Sequence, residues 1–350
     1  MRLTAFFHPL ATLASVTMLA ALTLAGCGST TPARPDAGTQ PALSSSAPPV
    51  RIGIALGGGA AKGFAHIGVI KMLEANGFAP AVVSGTSAGS VVGALYASGM
   101  NAFEMQEKAV ALDEAKIRDL QLSSGGLVLG QKLEDYVNEQ VRRKPLEQMA
   151  KPFVVVATRL EDGERTVFAR GNTGQAVRAS SSVPGVFQPV TIGKYHFVDG
   201  GIVSPVPVDA ARQLGADIVI AVDISNKARG QTPGDMLGTL GQSIAIMGQK
   251  LGQAELARAD VIIRPQVLDI GSADFSQRTN AILEGEKAAL AVMPQIRERV
   301  AQLQAERANA ARAAQQKAAE AQYQTCLEKR SSLQKLAGMA RLDDSCTAPK

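Results

Sequence analysis

Two glycine-rich turns, each set between a strand-like run and a helix-like one, leave this chain few folds. Residues 50–56 are β-branched and apolar, and Gly57-Gly58-Gly59-Ala60-Ala61-Lys62-Gly63 follows them directly. A helix-period stretch comes next, with His66, Val69, Ile70 and Leu73 about one turn apart. Residues 81–84 form the next strand-like run, Gly85-Thr86-Ser87-Ala88-Gly89 turns it, and residues 88–98 read as the helix after it. Short apolar runs recur at 152–158, 195–198, 217–222 and 261–263, with helical patterns at 129–141 and 209–214 between them. Alternating strands and helices predict an α/β fold with a mostly parallel sheet, its ligands beyond the carboxyl ends of the strands.

A serine between a strand and a helix must sit on a sharp turn. The flanking Gly85 and Gly89 let the backbone bend and keep its neighbours clear. Ser87 is then exposed at a helix N-terminus, whose dipole favours developing negative charge. The alternative is a glycine-rich turn with a capping serine. The earlier run, Gly57 to Gly63, fits neither nucleotide motif. A Walker A loop requires Gly-Lys-Ser/Thr, whereas Lys62 follows Ala61 and precedes Gly63. A G-x-G-x-x-G fingerprint from Gly57 requires glycine at Lys62. What remains is a backbone able to aim N–H groups into a cavity, as an oxyanion hole requires, or glycines that serve packing.

Of three histidines, His8 lies in the N-terminal apolar run. His66 follows the glycine loop and reads as a packing or hydrogen-bonding residue. His196 alternates with Tyr195 and Phe197 and reads as a strand residue. No histidine lies beyond it, so the α/β-hydrolase order of serine, acid, histidine is not met. A carboxylate is the remaining conventional base. Asp199 ends the run at 195–198 and opens Asp199-Gly200-Gly201, although Asp-Gly by itself is first of all a turn.

Together these runs resemble the patatin-like phospholipase family, closest to bacterial members of its neuropathy-target-esterase branch. A fourth match is Ala179-Ser180-Ser181-Ser182-Val183-Pro184-Gly185-Val186-Phe187-Gln188-Pro189-Val190, similar to the family's segment before the aspartate. The resemblance covers about residues 51–225. It implies a three-layer fold and a Ser87–Asp199 dyad without histidine, acting on acyl esters through an acyl-enzyme. Gly57, Gly58 and Gly59 would be oxyanion-hole donors, with Ala88 as a further one. Lys62 would orient the glycine loop or an anionic head group. A carboxylate of ordinary pKa is a poor base at pH 7, so burial is expected to raise that of Asp199. Acyl esters of phospholipids, lysophospholipids or related lipids are the expected substrates. A thioesterase or acyltransferase would use the same dyad, and a binding scaffold would use the fold alone.

The ends of the chain carry separate signals. Arg2, an apolar and small-residue run, and Leu24-Ala25-Gly26-Cys27 read as a secretory leader over residues 1–26. The last four residues look like a bacterial lipobox, which implies cleavage before Cys27 and its lipidation. Gly28 rather than Asp then makes the outer membrane, facing the periplasm, the default destination. Residues 27–50 are rich in Pro, Ser, Thr, Ala and Gly and read as a flexible tether. Residues 51–294 form the expected hydrolase domain, and 295–350 a helical extension. Past Pro294 the chain is rich in Ala, Gln, Arg, Lys and Glu, with an apolar stripe of Ile296, Val300 and Leu303 that ends at Arg307. Such a helix packs at its start and is solvated beyond, or else offers a face to a partner. In an oxidising compartment Cys326 and Cys346 are expected to pair, a closure of roughly 3 kcal/mol in the chain-entropy model.

Composition excludes one class of function. The 350-residue chain is 46% apolar with a net charge of +5. Residues 27–294 hold 25 basic and 25 acidic side chains, so the excess lies in the leader and the C-terminal extension. A neutral body gives no basic groove for nucleic acid. No metal-ligand spacing accompanies the cysteines, and neither cofactor nor metal is expected.

Overall fold

The computed structural model describes residues 48–117, 119–123, 126–225, 234–337, 346 and 348. The leader, Cys27 and the tether up to residue 47 lie outside them. Eight strands form one sheet, built around three whose every residue is buried. These are β1 (Ile52–Leu56), β2 (Val82–Thr86) and, later in the chain, β9 (Ile218–Val222). Burial on both faces is what continuous apolar runs, rather than alternating ones, require. Between β1 and β2 lies α1 (Ala65–Ala75), and α2 (Ala88–Ala97) and α3 (Ala102–Val110) follow β2. A short antiparallel pair, β3 (Leu120–Ser123) and β4 (Gly126–Val128), stands apart and leads to α4 (Gln131–Gln140). The main sheet resumes with β5 (Phe153–Arg159) and β6 (Arg165–Phe168). Then come α5 (Thr173–Ser180), β7 (Val190–Ile192) and β8 (Tyr195–Asp199). The chain continues through α6 (Val208–Gln213), β9, α7 (Met236–Leu256), β10 (Val261–Ile263) and α8 (Arg278–Ala337).

The sheet order is β10-β9-β1-β2-β5-β8-β7, with β6 also on β5. The five strands from β10 to β5 are parallel, and β6, β7 and β8 run antiparallel to their neighbours. Successive side chains sort to opposite faces. Ile54, Leu56, Val83, Ile220 and Val222 enter the larger core with α1, α2 and α8. Ala55, Val82, Val219 and Ala221 enter the smaller one, with Val208 and Ala211 of α6 and Leu256 of α7. The three-layer α/β arrangement is the expected one. The hairpins β5–β6 and β7–β8 depart from the parallel pattern.

Gly89 shows why the serine turn carries its second glycine. A Cβ there would stand far inside contact distance of the Leu56 carbonyl oxygen, a backbone atom that cannot swing aside. Replacing a helical glycine by alanine ordinarily gains about 1 kcal/mol. Here the clash outweighs that gain, and Gly89→Ala is expected to cost about 3 kcal/mol. Urea unfolding should show the loss as a lowered midpoint. A variant as stable as the parent would mean that α2 has room against β1.

The helix expected after Pro294 begins at Arg278 and runs through the proline. Pro294 is exposed, so the carbonyl freed on that face, near the half-exposed Leu290, can be hydrated. Ahead of it, Ala281, Ile282, Ala289 and Met293 are buried. Gly285 and Gly68 meet the backbones of α1 and α8 respectively, which brings those helices into close contact. Arg307 ties the helix to the start of the body. Its guanidinium pairs with Asp217 and donates to the carbonyls of Pro48 (3.2 Å) and Pro49 (3.3 Å). Cys326 and Cys346 are joined by a disulfide. Among the described residues no helix is long and apolar enough to cross a membrane.

Candidate active site

The site arises where two strands meet end to end. On β5, residues 153–156 pair with β2, while 157–159 pair with β8 in the opposite direction. Because β6 occupies the other edge across 155–158, β2 and β8 share one edge of β5. Thr86 pairs with Val156 and Asp199 with Ala157, so the carboxyl ends of β2 and β8 converge. Ser87 directly follows Thr86, which brings the two expected dyad members together.

Ser87 has φ 52° and ψ −125°, a region that glycine occupies freely and other residues rarely. The neighbourhood holds it there. Its N–H donates to Ser180 Oγ at 2.8 Å, and Ser180 Oγ–H donates to Val156 O at 2.5 Å. The strained turn is thereby latched to the strand that aligns both carboxyl ends. Thr86 Oγ1 donates to Ser204 O (2.8 Å) one residue earlier. Asp199 is fixed as firmly. Its N–H donates to Ser182 O (2.9 Å), and its carbonyl accepts from Thr158 Oγ1 (2.8 Å). Gly201 N–H donates to Oδ1 at 2.6 Å. Oδ2 is buried and has no well-formed hydrogen bond.

Desolvation pushes the Asp199 carboxyl up to about 6, while the Ser87 hydroxyl and the Gly201 N–H pull the other way. A base of that strength is matched to work just below neutral pH. Asp199 and Ser87 are 7% and 8% exposed, so water screens the pair little.

The glycine loop lies beside the serine, though not with all its amides free. A Cβ on Gly58 would stand 3.2 Å from Ser87 Cβ. Gly57 N–H, however, donates to Val222 O (3.1 Å) and Gly58 N–H to Pro205 O (3.0 Å). These two expected oxyanion donors are engaged in holding the loop to the fold. Gly59 N–H and Ala88 N–H have no acceptor among the described residues. Lys62 is buried (1% exposed) in the turn Ala60–Phe64, which suits orientation of the loop and not contact with a head group outside it.

His66 anchors the same loop. It is wholly buried, with Nε2 2.8 Å from Gly57 O, and desolvation lowers its pKa to about 4. The ring is therefore neutral and donates from Nε2, leaving Nδ1 bare and unpartnered. His196 stands exposed on β8, with Nδ1 2.8 Å from Glu161 Oε1, away from the dyad. Among the described residues no cluster has the makings of a metal site.

Sequence reasoning did not single out Ser180 or Ser182. They lie in the 179–190 segment that carried the resemblance, but hydroxyls that latch a turn have no spacing signature of their own. Glu255, beyond that segment, was likewise unmarked.

Residues 54–212 match the family model described as Patatin-like phospholipase. That span, a little under half of the chain, is similar to the patatin-like phospholipase domain. It runs from within β1 to within α6 and includes both glycine turns, Ser87, the 179–190 segment and Asp199. Over 182 residues the chain is 35% identical to an uncharacterized NTE family protein of Mycobacterium bovis, covering 51% of each chain. Over 181 residues it is 30% identical to lysophospholipase NTE1 of Pyricularia oryzae, covering 50% of this chain and 12% of that one. The chain thus matches about half the length of the mycobacterial relative and a far smaller share of the fungal one. Superposition on VipD from Legionella pneumophila gives a TM-score of 0.41 at 15% identity, covering 71% of this chain and 67% of that one. The elements α7, β10 and α8 lie beyond the matched residues yet complete the sheet and its flanks.

Proposed function

We propose that this chain is a serine acyl hydrolase acting on acyl esters of phospholipids, lysophospholipids or related lipids. The observation that carries the reading is the convergence of β2 and β8 on one edge of β5. It brings a strained, buried serine to a carboxylate whose pKa burial has raised. The family and its lysophospholipase relative support a lipid ester as substrate.

Asp199 takes the Ser87 hydroxyl proton as Oγ attacks the ester carbonyl carbon. Gly59 and Ala88 N–H groups stabilise the resulting oxyanion. On collapse, the carbon–oxygen bond to the alcohol breaks and the proton on Asp199 passes to the departing oxygen. Water then enters, Asp199 takes its proton, and hydroxide attacks the acyl-serine. The fatty acid leaves, and the proton returns to Ser87 Oγ.

The same proposal extends to location. Residues 1–26 serve as a leader and Cys27 carries the lipid that holds the chain at a membrane, in the outer membrane facing the periplasm. The Cys326–Cys346 disulfide supports an oxidising compartment. Mass spectrometry of the mature N-terminus tests it, and an unmodified Cys27 would sink the anchor. The activity is tested by mass spectrometry of lipids incubated with the parent and with Ser87→Ala, with thioester and alcohol acceptors present. Free fatty acid should accumulate with the parent alone. Equal lipid profiles would refute the hydrolase, and a transferred acyl group would move the reading to acyltransfer.

A further inference from the structure

Most of α7 lies on the surface, and its last turn is held down by a buried acid. Among Gly252, Glu255 and Leu256, the buried residues of that turn, Glu255 alone carries a charge-bearing group, and it is 5% exposed. Its Oε1 accepts from Ser204 Oγ and its Oε2 from Val206 N–H at 2.8 Å. Among the described residues no cation forms an ion pair with it. The nearby Arg258 is engaged by both oxygens of Asp209, at 2.7 and 2.8 Å. A buried carboxylate with no ion-pair contact is costly even with the more distant pull of Arg258, so a purely space-filling role would be better served by an apolar side chain.

What the carboxylate grips makes the arrangement intelligible. Its two oxygens span Ser204-Pro205-Val206, and that short segment touches all three catalytic runs. Ser204 O accepts from Thr86 Oγ1, beside the nucleophile (2.8 Å). Pro205 O accepts from Gly58 N–H of the glycine loop (3.0 Å), and Ser204 N–H donates to Gly200 O next to Asp199 (2.8 Å). We infer that Glu255 is a positioning residue, whose carboxylate fixes the 204–206 segment and through it the mutual register of nucleophile, base and oxyanion loop. The role rests on the acyl-hydrolase reading above. It lies outside residues 54–212, in a helix the family match does not reach.

Burial pushes the Glu255 carboxyl up to about 7, against the pull of its two hydrogen bonds. A neutral isostere therefore suits the pocket. In Glu255→Gln the amide oxygen can accept from Val206 N–H while the NH2 donates to Ser204 Oγ, whose hydroxyl can also accept. In Glu255→Ala both bonds vanish and Val206 N–H is left unsatisfied.

The test compares the full chain and its variants in ester hydrolysis and in the rate of fluorophosphonate labelling, with rates referred to labelled sites. For Glu255→Ala, kcat should fall by about 100-fold with the labelling rate, as small misplacements at a reacting centre do, and KM should stay within about threefold. Glu255→Gln should recover to within about fivefold of the parent, because it keeps the clamp. A lowered thermal midpoint with unchanged kcat per labelled site would mean that Glu255 only stabilises the fold, and would overturn the role. So would a Gln variant as impaired as the Ala variant. If Glu255→Ala does not fold, Ser204→Ala removes one clamp bond and should slow labelling by about tenfold, and an unchanged rate would again overturn it. A parent that does not label at all would refute the serine-nucleophile reading itself, and this role with it.

Discussion

Ser87→Ala should abolish lipid hydrolysis and fluorophosphonate labelling, with kcat reduced by roughly 10⁴-fold or more, while the protein stays folded. Removing a nucleophile leaves no group to form the acyl-enzyme, so the loss corresponds to at least about 5 kcal/mol of transition-state stabilisation. Stability should barely change. Alanine at φ 52° carries the same backbone strain as serine, and the Ser180 latch grips the main-chain N–H that both residues possess. Ser87→Gly sharpens the contrast, because glycine enters this region freely and should stabilise the fold by about 1 kcal/mol. Urea unfolding and labelling measured together separate the two effects. An alanine variant that still turns over lipid would exclude Ser87 as the nucleophile.

Asp199→Asn should leave the parent geometry in place and lower kcat by about 10³- to 10⁴-fold. Its amide oxygen can still accept from Gly201 N–H, but it cannot take a proton from Ser87. The parent's pH profile should report the same group. As the proposed base Asp199 would act in its ionised form, so kcat/KM should rise with pH up to about 6 and level off above it. The sign for stability is opposite. A carboxyl raised from 3.8 to about 6 holds its proton longer in the folded state than in the unfolded one. Its contribution is thus most favourable below pH 3.8 and is lost as pH climbs through 6, a change on the order of 3 kcal/mol. Asparagine does not ionise, so the inactive variant should be the more stable protein at pH 7. An active Asn variant, or a rate that falls as pH rises from 5 to 7, would move the base elsewhere.

The strands and helices nearest the site were legible because each is written in local chemistry. The run at 50–56 is apolar throughout, as a strand covered on both faces must be, and β1 is buried at every residue. The β7–β8 hairpin was less legible. Val190–Ile192 is three residues long and pairs only with β8, and so short a run has no period to read. The start of α8 at Arg278 is hidden in the sequence because Pro294 looks like a boundary. Only its exposed position on the helix shows why the helix tolerates it.

The serine turn, the glycine loop and Asp-Gly-Gly could be named before any fold was known, since each needs glycine for a reason local to the backbone. The chain order even left a carboxylate as the remaining conventional base, by running out of histidines. Which amides were free could not be read that way. Gly57 and Gly58 are as permissive as Gly59, yet their N–H groups are taken by Val222 and Pro205, residues far along the chain. The raised pKa of Asp199, the neutrality of His66 and the reach of Glu255 likewise depend on burial and on partners from other elements. Residue types and turns are set by interactions a few positions apart. Proximity, desolvation and hydrogen-bond occupancy exist only once β2 and β8 close upon the same edge of β5.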